Sequence, residues 1–149
     1  MSAHQPTPGA TGTATLVVSS ADLASTAAAE SADSGSIELP AVLSTPRMIA
    51  LMELAAAKLL APFLAPGQAS VGAHVEATHS APTPLGATIT ATATFKGVEG
   101  KLFVFDVVAE DAAGEAGRGT HKRAVVEVER LKKGVAIRAE KIKRAENGE

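Results

Sequence analysis

Cysteine, tryptophan and tyrosine are absent from the 149-residue chain, and four phenylalanines are its only aromatic residues. The lack of cysteine excludes disulfides, thiolate metal sites and a cysteine nucleophile together. So few aromatics leave no platform on which single-stranded bases could stack. Positive charge is scarce too. With 14 Lys and Arg against 16 Asp and Glu, the chain lacks the basic excess of a protein that grips phosphate backbones, and nucleic acid is not an expected partner. No apolar run approaches the thickness of a bilayer, and the opening MSAHQPTPGATG has neither a basic n-region nor an apolar h-region. These absences predict a soluble, cytoplasmic protein with no membrane contact. A Gly-rich phosphate loop and a Gly-x-Ser-x-Gly elbow are missing as well, which removes support for nucleotide hydrolysis, dinucleotide binding and the usual serine-hydrolase route. The histidines are scattered without ligand spacing, so neither a metal nor another cofactor is expected.

What is present fits one domain. Residues 1–12 are rich in Pro, Gly, Ser and Thr and read as a disordered tail; residues 13–137 form the expected domain; residues 138–149 read as a charged, frayed tail. Thr13 to Ser20 reads as a strand, and Ala21 to Ser36 as either a weak helix or a lid. The helix signature is strongest from Thr45 to Ala61, where Thr45 is the expected N-cap, Pro46 suits the first turn and Pro62 limits continuation. Met48, Met52, Ala56, Leu59 and Leu60 form one apolar arc. From residue 69 onward the period changes to two. Strands are predicted over Ser70–Ala81, Ala87–Val98, Lys101–Glu110 and Glu115–Leu131, joined by Gly-bearing turns. The predicted class is α+β, an antiparallel sheet wrapped around one long helix.

Three residues stand out for chemistry, and each also has a plain structural reading. Glu53 borders the apolar arc with no cation three or four residues away. It is either a helix-edge carboxylate or a general base or nucleophile whose pKa partial burial would raise. His79 shares strand parity with Val71, Ala73, Val75 and Ala77, so it is predicted to face inward, either as a core histidine or as a proton carrier. Thr45 is explained by capping alone, yet a hydroxyl at a helix start stands where backbone N–H groups favour an oxyanion or a water. His121 and Arg123 share a strand face, and Arg123 would either hold a carrier phosphate or pair with a glutamate.

The stretch LSTPRMIALMELAAAKLLAPFLAPGQASVGAHVEATHSAPTPLGATITATATF, continued in GRGTHKRAVV, resembles the hot dog fold thioesterases, in particular the subgroup containing the bacterial fluoroacetyl-CoA thioesterases. The resemblance spans residues 39–131. It implies a hot dog sheet around the helix, a homodimer formed by sheet pairing, and an acyl-CoA substrate hydrolysed near the dimer interface. It also implies that Thr45, Glu53 and His79 are catalytic, that the Gly72 backbone lines the site and that Arg123 stands beside it. The subgroup's aromatic lid residues correspond to Ser36 and Leu39 here, and its glycine after the catalytic threonine is replaced by Pro46. Leu39 is thus the expected lining residue of an altered gate, and a short-chain acyl-CoA is the expected substrate, without implied selectivity for a fluorinated acyl group. A non-catalytic acyl-CoA-binding or regulatory module is the alternative reading, since one scaffold hosts many functions. A hydratase would need a differently placed His and acid pair.

Overall fold

The computed structural model describes residues 5–30 and 37–149. Five strands form one sheet: β1 (Thr11–Val17), β2 (Gln68–His79), β3 (Thr88–Glu99), β4 (Leu102–Asp111) and β5 (Gly114–Glu127). Their order is β1-β3-β4-β5-β2, and every pair is antiparallel. A short helix, α1 (Ala24–Glu30), precedes the long α2 (Thr45–Leu60), and α3 (Val128–Glu146) follows the last strand.

Alternation dictates the packing. In β3, Ile89, Ala91, Ala93 and Phe95 are buried, while the intervening threonines are only partly covered or exposed. Against this face lies α2, burying Met48, Leu51, Met52, Ala55, Ala56 and Leu60 in a core shared with Phe105, Val107 and Ala109 of β4. Small residues set the closeness of approach. A Cβ on Gly12 of β1 would stand 2.7 Å from Leu59 Cβ and 2.8 Å from the Ala55 carbonyl, so only glycine lets β1 pass under the helix.

Several expected boundaries moved. Part of the expected N-terminal tail is tied down: Gly9 N–H donates to Phe95 O and Phe95 N–H to Ala10 O, extending the β1–β3 pairing. The last strand stops at Glu127 because its partner β2 begins at Gln68, after the Pro66–Gly67 turn, and nothing remains to pair with. Beyond it the chain turns helical to Glu146, where a strand to Leu131 and then a frayed tail were expected. Good helix formers, Glu129–Lys132 and Glu140–Arg144 ion pairs, and Lys143 and Arg144 in the last turn favour that helix. No residue of α3 is buried. Of the ambiguous segment, Ser20–Asp22 forms a 3-10 turn and Ala24–Glu30 is α1; Ser36 lies outside the described residues.

Candidate active site

The start of α2 is built by Ser44, not Thr45. The Ser44 hydroxyl accepts the Arg47 N–H at 3.2 Å, making it the N-cap, while Thr45 is already the first helical residue. Pro46, which has no N–H to donate, then stands at the second position. The consequence is chemical: Thr45 Oγ1 is free of capping duty and lies 2.8 Å from His79 Nδ1. His79 Nε2 is buried and has no hydrogen-bond partner among the described residues. Around this pair lies a depression of about 290 Å³, bounded by Ala24, Val42, Leu43, Ser44 and Ser80 to Pro82.

Loops hold that depression in place. Asp22 accepts from the Ser19 N–H and hydroxyl and from Arg47 Nε, the last at 3.0 Å. Burial pushes the Asp22 carboxyl up, but the Ser19 hydrogen bonds and Arg47 outweigh it and leave the group below the usual carboxylate range. Across the depression Thr83 donates to Asp111 at 2.8 Å, and its carbonyl accepts the Leu43 N–H. That hydroxyl, with the Ala113 N–H, holds Asp111 low as well.

A second depression, of about 230 Å³, surrounds Glu53, Gly72, Ala73, His74, Val75 and His121. Glu53 sits two turns along α2 from Thr45, about 12 Å by helical rise, so one subunit does not gather Thr45, Glu53 and His79 into a hydrogen-bonded triad. A β-bulge builds this second site. The register passes from Gly72↔Arg123 to His74↔Lys122, leaving Ala73 as the extra residue. Gly72 faces α2 so closely that a Cβ there would collide with Glu53 Oε1. The bulge also corrects the parity expected for β2: Val75, Ala77 and His79 share a face with Gly72, whereas Val71, paired with Ala124, lies on the other.

The Glu53 carboxylate, with no cation within reach on its own helix, meets one from β5. Arg123 Nη1 stands 3.8 Å from Glu53 Oε1. Only 7% of Arg123 is exposed, and of the two roles expected for this guanidinium its burial favours the glutamate pairing. Its Nε donates to Ser70 Oγ and its Nη2 to Ser70 O, both at 3.0 Å. Burial lowers its pKa, and Glu53 partly opposes that shift. His121, 1% exposed, places Nδ1 2.8 Å from the carbonyl of His74, beside the bulge. A carbonyl only accepts, so Nδ1 carries the proton and Nε2 is left to accept from Arg123 Nη1 at 3.2 Å. Burial dominates in holding the His121 pKa low, which keeps that acceptor neutral. Sequence reasoning missed Ser44 and Ser70; the Ser70–x–Gly72 spacing was visible, but its meaning depends on the bulge. Leu39 is 45% exposed and lines neither depression.

The model of the fluoroacetyl-CoA-specific thioesterase family matches residues 22–129. A fluoroacetyl-CoA thioesterase of Streptantibioticus cattleyicolor is 44% identical over 94 residues, 63% of this chain and 68% of that protein. A solved fluoroacetyl-CoA thioesterase superposes with a TM-score of 0.80 at 36% identity, covering 88% of this chain and 96% of its own. A variant of that enzyme solved with fluoroacetate and CoA gives 0.77 at 36%, covering 85% and 99%. A Thermus thermophilus thioesterase superfamily member, 24% identical over 93% of this chain and 96% of its own, shares the hot dog fold with a TM-score of 0.80. The fold and these matches agree, and the chain belongs to the fluoroacetyl-CoA-specific thioesterase family.

Proposed function

We propose that the protein hydrolyses a short-chain acyl-CoA to the free acid and CoA, with Glu53, Thr45 and His79 as the catalytic residues. The observation that carries this reading is the Glu53 carboxylate, exposed enough to reach substrate yet faced by the anchored Arg123 and seated on the backbone of Gly72. Glu53 either draws a proton from the water that attacks the acyl carbonyl or attacks that carbonyl itself, forming an anhydride that a water then hydrolyses to the free acid and the regenerated carboxylate. The peptide groups at Gly72 and the bulged Ala73 face the developing oxyanion. Thr45, hydrogen-bonded to His79, orients the acyl group at the other end of the site, and His79 assists there as acid, base or orienter. The C–S bond breaks, and the leaving thiolate takes up one proton as free CoA, which the water split in the same turnover supplies or replaces.

The functional unit is a cytoplasmic homodimer. Its basis is the outer edge of β2, a full 12-residue strand paired on one side only and bordering both depressions. A second copy added there walls in the site. No helix among the described residues is long and apolar enough to cross a membrane.

A panel of acyl-CoA thioesters, read by thiol release, tests the activity; acetyl- and propionyl-CoA are the expected substrates, with no preference for fluoroacetyl-CoA. Absence of thiol release across the panel, or full rates in Glu53→Ala and His79→Ala, would overturn the assignment. Gel filtration with light scattering should give twice the chain mass.

A further inference from the structure

Helix α3 carries seven of the chain's fourteen Lys and Arg against three carboxylates, although the chain as a whole is acidic. Among the described residues, seven cations form no ion pair, and five of them, Arg130, Lys133, Arg138, Lys141 and Lys143, are on this helix. The two depressions around Thr45 and Glu53 have no such cation to offer: Arg47 is held by Asp22, and Arg123 is buried against Ser70 and His121. A CoA thioester carries a pyrophosphate and a 3′-phosphate, so charge complementarity directs that end of the molecule to α3.

There is a place for it. A cavity of about 540 Å³, larger than either depression, opens between the end of β5 and α3, lined by Val125, Leu131 and Val135 with Arg130, Gly134 and Arg138. The last three are four residues apart and share one helical face. Gly134 is a helix-interior glycine where an added Cβ would meet nothing within 4 Å, so packing does not require it; it leaves a gap between two arginines at a cost in helix propensity. The cavity begins at Val125, on the same β5 face as His121 and about 14 Å further along the strand, a span within reach of a pantetheine arm.

We propose that this cleft binds the adenosine bisphosphate end of CoA. Arg130 and Arg138 take the phosphates, and the adenine lies in the Gly134 gap against Leu131 and Val135, one guanidinium stacking on its ring. The proposal rests on the acyl-CoA reading, and truncated substrates separate the two. Wild-type full-length protein should show a KM for acetyl-CoA roughly tenfold or more below that for acetyl-pantetheine, which lacks the nucleotide, as expected for at least one lost charged hydrogen bond. The double variant Arg130→Glu/Arg138→Glu should erase that preference, and Gly134→Leu should weaken it by filling the gap. Calorimetry with adenosine 3′,5′-bisphosphate alone should detect binding to wild type that the double variant loses. Equal KM values for the two thioesters in wild type, or a preference that survives charge reversal, would overturn the proposal. So would variants that change only the gel-filtration mass, which would mark α3 as a contact between copies, or only the KM for an acyl carrier protein. Absence of thiol release from both thioesters, with bisphosphate still bound, would sink the hydrolase reading and uphold the cleft.

Discussion

At one end of the site, Glu53 is surrounded by groups whose positions are over-determined: Arg123 is tied to Ser70 twice and to His121, and His121 to the His74 carbonyl at the bulge. At the other end, Thr45 and His79 share one hydrogen bond in a depression walled by loops, with Asp22 and Asp111 as its latches. The contrast assigns different tasks. A group that must hold one geometry against a developing charge gains from an anchored environment. Groups that orient an incoming acyl chain and pass a proton tolerate a looser one.

The largest expected effect separates the two ends directly. Glu53→Gln should lower kcat for acetyl-CoA on the order of 10³-fold, whereas Thr45→Val should cost on the order of 10²-fold and Thr45→Ser much less. Steady-state thiol release measures both, and a larger loss at Thr45 than at Glu53 would reverse the division of labour.

Arg123→Met tests the anchored end next. It leaves Glu53 without its cation and His121 Nε2 and Ser70 without a donor, so urea denaturation should show a loss of about 3 kcal/mol. Combining it with Glu53→Gln should cost less than the sum of the two, because the second change removes the charge that the first left unpaired.

Acid should undo the two ends in different windows. His121 has a folded-state pKa below its unfolded value of about 6.5. The unfolded chain therefore binds more protons, and stability, complete above that value, falls as pH drops toward the folded pKa, by up to about 1.4 kcal/mol per pH unit. Asp22 and Asp111 are also lowered, but their contribution is present above an unfolded pKa of about 3.9 and is lost only as pH falls through the lower folded values. Denaturation curves should thus show a decline beginning near pH 6.5 that His121→Gln flattens, with the latches failing only in stronger acid.

The same contrast explains what could be read from the chain alone. The α2 arc and the alternation of β3 were legible because periodicity depends on burial, and burial is what the sequence encodes most densely. The partners of Glu53 were not legible by that route, because Arg123 and Ser70 arrive from strands 70 and 17 residues away in the chain and meet only through register. The bulge at Ala73 broke the parity argument for Val71 while leaving it intact for His79. Helix α3 was missed for a related reason: VEVERL alternates like a strand, and the absence of a neighbour beyond Glu127 leaves the helix formers and ion pairs that follow to decide.

The smallest effect concerns the cap itself. If Ser44 rather than Thr45 satisfies the open end of α2, Ser44→Ala should destabilise the fold by about 1 kcal/mol, while Thr45→Ala should leave the melting temperature almost unchanged and lower turnover. The reverse pattern would return the capping role to Thr45 and tie its hydroxyl to the helix. With Ser44 as the cap, Thr45 can give its one proton to His79 Nδ1, or accept one from it, without loosening the helix on which Glu53 is mounted. Stability and turnover should therefore separate cleanly across two adjacent residues, a result that thermal melts and thiol-release rates on the same two variants can check.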